Sequence, residues 1–209
     1  MKKTIYFLVS LSICLVYSLI IFAAQNEQLP EQAGMDNRDY DNLVQVMLRG
    51  TPFQKQQAAL TFGKAKERRA IQYLISAMKY DDSLEVRRAS CQALTMMKAT
   101  EALKEMVASL KALENIYKKS QWSKYNEFIV DLIDGISSFN EPSTFPTIVE
   151  TAWALDRTIK RKAITSIVKL KIKTASSTLT AVLQKETVES MKKFLMSAIK
   201  KLKELPFVQ

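Results

Sequence analysis

Residues Val86–Leu110 read VRRASCQALTMMKATEALKEMVASL, and 73 residues later Ile159–Leu183 read IKRKAITSIVKLKIKTASSTLTAVL, an alignment without a gap. A match of that length within one chain constrains the fold more than any other feature here, because internal repeats dictate an array of equivalent units. In the first stretch Val86, Ala89, Cys91, Ala93, Leu94 and Met97 fall on one helical face. The same pattern returns at 159 with Ile159, Ala163, Ile164, Ile167 and Leu170, and at 191 with Met191, Phe194, Met196, Ala198, Ile199 and Leu202. Weaker copies begin near 128 (Phe128, Ile133, Ile136, Phe139) and near 54 (Ala59, Phe62, Ala65).

About sixteen residues into each copy but the last, a second helix is expected. Ala70, Ile71, Leu74 and Met78 correspond to Ala102, Leu103, Met106 and Leu110, then to Thr144, Phe145, Ile148 and Ala152, and to Ala175, Leu179 and Leu183. A helix through Leu43, Val46 and Met47 precedes the first full pair. About ten extra residues around LENIYKKSQWSKY imply a lengthened second helix and a longer loop. Asp82 with Glu85 reads as a capping box. Thr51 ahead of Pro52 reads as a cap with proline at the first helical position, and Asp156 and Thr187 as further caps. Only four glycines and five prolines occur, which favours helix over sheet.

The stretch EVRRASCQALTMMKATEALKEMVASL resembles the HEAT-repeat family, especially its short bacterial variety, in the Val-Arg opening, the Ala-Leu close and the Ala-plus-leucine second helix. The resemblance extends over about 39–205. It implies an all-α chain folded as a right-handed α-solenoid of about five helix-pair repeats, whose extended surface binds a partner. Gln54 and Lys162 depart from the family pattern, and Gly63 alone matches its usual glycine.

Ahead of the repeats lies a run from Thr4 to Ala24 without a charge, preceded by Lys2 and Lys3. As a helix it would span about 31 Å, the thickness of a bilayer core. It is expected to act as a signal anchor over 1–24, followed by a flexible linker over 25–38 and a repeat domain over 39–209. The positive-inside bias then places the repeats outside the cytoplasm, on the periplasmic side. A cleaved signal peptide, leaving a soluble periplasmic or secreted protein, is the alternative. Two cysteines, Cys14 and Cys91, are not expected to pair.

Net charge is +10, and residues 155–209 carry 13 Lys and Arg against four Asp and Glu. Lys160, Arg161 and Lys162 lie at repeat positions matched by Lys192 and Lys193, so they are expected to form a basic stripe. That stripe is the candidate partner-binding surface, and Trp122 in the insertion is a candidate exposed anchor. The implied partner is a protein, with an anionic membrane surface second and nucleic acid disfavoured by the export segment. Histidine is absent, which removes the commonest metal ligand and acid–base group. HEAT-like hydroxylases hold iron with His-Glu pairs that this chain cannot supply. Asp131 and Asp134, three apart on one first helix without companions, are expected to face solvent or cap neighbours. No catalytic residue, metal or cofactor is expected. The reading is a non-enzymatic interaction scaffold. An enzyme or enzyme subunit acting on an anionic substrate is the rival, with a nucleic-acid-binding HEAT-like protein beside it.

Overall fold

The computed structural model describes residues 35–120, 123–152, 156–171 and 175–204. The apolar run at 4–24, Cys14, most of the linker, Trp122 and Trp153 lie outside the described residues. Among the described residues there are ten α-helices and no strand. They are α1 (Asn37–Arg49), α2 (Pro52–Lys64), α3 (Ile71–Tyr80), α4 (Leu84–Met96), α5 (Leu103–Ser120), α6 (Asn126–Ser138), α7 (Phe145–Ala152), α8 (Arg157–Lys169), α9 (Ala175–Lys185) and α10 (Glu189–Lys203). No helix among the described residues is long and apolar enough to cross a membrane. The residues from Asp36 onward form one compact unit.

Packing follows the repeat. The helices that open each unit stack in chain order, α2 on α4, α4 on α6, α6 on α8 and α8 on α10. The second helices follow the same order through α1, α3, α5 and α7, and α3, α5, α7 and α9 each pack against the opening helix that follows. The expected core positions are buried in register: Val86, Cys91, Leu94, Phe128, Ile133, Ile136, Ile159, Ile167, Met191 and Leu202 lie between helices. Met196 departs from this. It stands in register with fully buried Cys91 yet is 48% exposed, because the Cys91 position faces the next opening helix and none follows α10 among the described residues.

Two devices recur at the repeat spacing. Lys66, Lys98, Asn140 and Lys171 have φ between 51° and 55°, each just past the end of an opening helix. After α2 and α4 the chain closes with 6→1 bonds, Glu67 N–H to the Phe62 carbonyl (3.0 Å) and Ala99 N–H to the Leu94 carbonyl (3.0 Å). This is the left-handed helix stop that glycine usually makes, here made without it. The second device is a rung of small residues. A Cβ on Gly63 would lie 2.6 Å from Ala93 Cα, and one on Gly135 would lie 2.7 Å from Thr95 Oγ1. Gly63 and Thr95 share one repeat position, and Ala93 and Gly135 share another. Buried Ser137 and Ser166 occupy the next rung. Small side chains there let consecutive opening helices approach closely.

Caps differ from expectation at two places. Ser83, not Asp82, caps α4, its hydroxyl accepting from Val86 N–H and donating to Glu85, while Asp81 accepts from Ser83 N–H. Thr187 does not cap α10, because Glu186 Oε1 accepts from the N–H groups of both Thr187 and Val188. Thr51 with Gln54 forms a full capping box, and Asp156 caps α8. The insertion lengthens α5 to 18 residues, as the extra sequence implied, and α1 starts at Asn37, two residues before the expected start of the repeat domain.

Candidate functional site

The five residues of the basic stripe all lie on α8 and α10, but they are not equivalent. Lys160 Nζ sits 3.1 Å from Glu186, whose side chain is only 6% exposed. Lys162 pairs with Asp134 of α6. The Arg161 guanidinium lies 4.4 Å over the Phe194 ring of α10. Three of the five therefore tie neighbouring helices together. Lys192 is half-buried and Lys193 exposed, and neither has an ion pair among the described residues. The exposed basic surface of the C-terminal helices continues instead through Lys200, Lys201 and Lys203 of α10. Of these, Lys200 is 3.8 Å from Glu204, in an exposed pair that contributes little.

Of the carboxylates on the other side of these pairs, Asp131 departs from expectation. Asp131 accepts from Arg88 Nε (2.7 Å) and Gln92 Nε2 (3.2 Å) of α4, and Glu127 also meets Arg88. Asp134 reaches forward to α8 instead. Asp131, 15% exposed, thus bridges α4 and α6 rather than facing solvent or capping, whereas Asp134 is exposed as expected and also pairs with Lys162 of α8. No group of acidic and cysteine side chains able to hold a metal ion occurs among the described residues. Cys91 is fully buried, and burial first, then Asp131 and Asp134, push its thiol pKa well up, so it stays protonated.

One repeat signal in the sequence identifies the structural lysine. Lys55 pairs with Asp81 at 2.9 Å, and both residues lie 105 positions before Lys160 and Glu186. A 26-residue lysine–carboxylate spacing recurring at the repeat offset marks a bridge that holds the stack, and it separates Lys160 from the freely exposed lysines. Backbone N–H of Val188 is the first cause that holds Glu186 below its ordinary pKa of 4.5, with Lys160 adding to it. A depressed folded value gives stability that is present above pH 4.5 and lost as pH falls through the folded value. The unfolding midpoint of the unaltered chain is therefore expected to fall more steeply between about pH 6 and pH 3 than that of Glu186→Gln. Thermal melts across that range, followed by circular dichroism, make the comparison. Equal slopes would show that this bridge does not matter.

A groove of about 240 Å³ lies at the opposite end of the unit, lined by Met47 and Leu48 of α1, Lys55 of α2, and Tyr73, Ala77 and Tyr80 of α3. Leu48, Tyr73 and Tyr80 are 55%, 37% and 72% exposed there, an apolar and aromatic surface with its lysine neutralised by Asp81.

No protein-family model matches the chain, and no curated protein is similar enough to count as a relative.

Proposed function

We propose that the helix pairs form a HEAT-like, right-handed α-solenoid that serves as a non-enzymatic scaffold. It binds a protein partner through its basic C-terminal end. One observation carries this reading. Along α4, α6 and α8 the exposed charges facing the next helix are taken up in bridges, whereas exposed Lys193, Lys201 and Lys203 of α10 have no ion pair among the described residues. A stack of paired helices presents a preformed extended surface, so a partner meets little ordering cost on this side. The residues that carry the interaction are Lys193, Lys201 and Lys203, with Lys192 beside them. Lys160, Arg161 and Lys162 serve the stack and contribute only the field around it. The uncharged run 4–24, with Lys2 and Lys3 before it, supports tethering to the membrane with the repeats on the outer side.

The test is photo-crosslinking of the full chain in membranes, comparing unaltered protein with Lys193→Glu/Lys201→Glu/Lys203→Glu. The expected result is loss of at least one discrete crosslinked partner with no change in the thermal unfolding midpoint. An unchanged partner set would remove the basic end from the function. Reversing Lys160 or Lys162 instead would break a bridge and confuse binding with stability.

A further inference from the structure

From α4 onward, each opening helix meets the next through positions drawn from one set, and the α6–α8 step uses the Gln92 position, where Asp134 pairs with Lys162. On α4, Arg88 meets Glu127 and Asp131 of α6, Gln92 donates to the same Asp131, and Lys98 Nζ donates to the Ser138 carbonyl (2.8 Å) at the end of α6. The step from α8 to α10 reuses the first position. Arg161 is in register with Arg88, and it lies over Phe194, which is in register with Asp131. On α10 the counterparts of Arg88, Gln92 and Lys98 are Lys193, Ser197 and Lys203, and Met196 stands where Cys91 stands on α4. All four are exposed. The last helix thus repeats the outward-facing set, and no opening helix follows it among the described residues.

We propose that this face of α10 binds an acidic amphipathic helix of a partner protein, laid edgewise where a further opening helix of the array would lie. This rests on the scaffold reading and names the chemistry of its partner. Lys193 takes a pair of carboxylates four residues apart, as Arg88 takes Glu127 and Asp131. Ser197 supplies the second hydrogen bond to the nearer carboxylate. Lys203 meets the carbonyls at the end of the incoming helix, where a cation also suits the helix dipole. Met196 covers the partner's apolar stripe, and a flexible thioether adapts to varied side chains.

The same comparison argues against a second copy of this chain. At the opposite end, α2 offers Phe53 and Gln57 at the register of Glu127 and Asp131, so it brings no carboxylate to Lys193. Lys200 stands in register with Thr95, the position that admits Gly135 closely. A lysine there holds an uncharged helix off and favours one with a further acid, a device that selects by charge. Phospholipid headgroups supply anions too, but without the four-residue spacing that this register sets.

The probe is a fluorescein-labelled peptide of the α6 sequence Asn126–Ser138 with an alanine-rich turn added at each end, titrated with the full chain by anisotropy. Binding is expected. Replacing Glu127 and Asp131 of the peptide by Lys is expected to weaken it about tenfold or more, and Lys193→Glu/Lys203→Glu in the protein to do the same. Combining the lysine peptide with the glutamate protein is expected to restore it. Failure of the peptide to bind, or failure of the charge swap to restore binding, overturns the proposal. So does binding of phosphatidylserine vesicles with no binding of the peptide. If the peptide fails while the crosslinked partner still depends on Lys193, Lys201 and Lys203, the scaffold reading survives and the edgewise helix does not.

Discussion

Gly63→Leu is expected to destabilise the protein by about 3 kcal/mol or more, and Gly63→Ala by about 1–3 kcal/mol. Helix propensity alone points the other way, since alanine in a helix interior is favoured over glycine by about 1 kcal/mol. Packing outweighs it. The nearest atom to a Cβ at this position is the Ala93 Cα at 2.6 Å, followed by the Ala93 Cβ at 2.9 Å and its carbonyl oxygen at 3.3 Å. Two of those three atoms are backbone, which cannot rotate away, so α2 and α4 must separate. Separation would open the contact along Ala59, Phe62, Ala89 and Ala93, all fully or almost fully buried. Trimming Ala93 to glycine relieves only the 2.9 Å contact and is expected to rescue little. Gly135 supplies the internal control. A Cβ there meets Thr95 Oγ1 at 2.7 Å and Met106 Sδ at 3.2 Å, both side-chain atoms. Gly135→Ala is therefore expected to cost less than Gly63→Ala, about 1 kcal/mol, because the Thr95 hydroxyl can turn to its other helical rotamer at the cost of its bond to the Cys91 carbonyl, and Met106 repacks readily. Urea unfolding of the three variants measures the ordering. Equal effects at 63 and 135 would mean that helix separation is not what the glycine controls.

That contrast also shows which parts of this molecule the sequence discloses. Burial repeats with the unit, so apolar spacing identified the opening helices and most of their core residues before any coordinate. Gly63 was visible as the glycine that matches the expected pattern, but its neighbour Ala93 lies 30 residues away and the small-residue rung was not. Sequence leaves the cap ambiguous where two candidate acceptors are adjacent. Asp82 and Ser83 differ by one residue, and the choice falls to whichever hydroxyl or carboxylate reaches the Val86 N–H. The helix stops were hidden because lysine and asparagine occupy the left-handed position where glycine would have announced it. Charge was legible as an excess and illegible as a partnership. A count finds Lys160, Arg161 and Lys162 together, whereas geometry sends them to Glu186, Phe194 and Asp134, on three different elements. Pairing across repeats depends on register between helices, and a single strip of sequence carries that only where the spacing itself recurs.

Phe128→Ala is expected to remove about 3–5 kcal/mol and, more tellingly, to divide the unfolding transition. Phe128 is fully buried on α6, the middle opening helix. The Arg87 guanidinium lies 4.8 Å over its ring while Arg87 Nε donates to the Met78 carbonyl at 2.9 Å. Truncation leaves a cavity between α4 and α6 and takes away the ring that the cation covers. Typical domains are stable by only 5–15 kcal/mol in total, so a loss of this size weakens the central contact more than any contact at the ends. In a linear array stability is a sum over units and nearest-neighbour contacts, and the two halves can then part company. Hydrogen exchange should show α2 to α4 and α8 to α10 losing protection at different denaturant concentrations, with a shallower urea dependence for the whole chain than in the unaltered protein. Phe128→Leu keeps most of the volume and should retain one cooperative transition, at a cost below about 1.5 kcal/mol. A single sharp transition in Phe128→Ala, with all ten described helices losing protection together, would mean that nearest-neighbour coupling across α6 survives the loss of the ring. The helix pairs would then unfold as one cooperative body despite the cavity, and the contact at α6 would not be the weak link of the array.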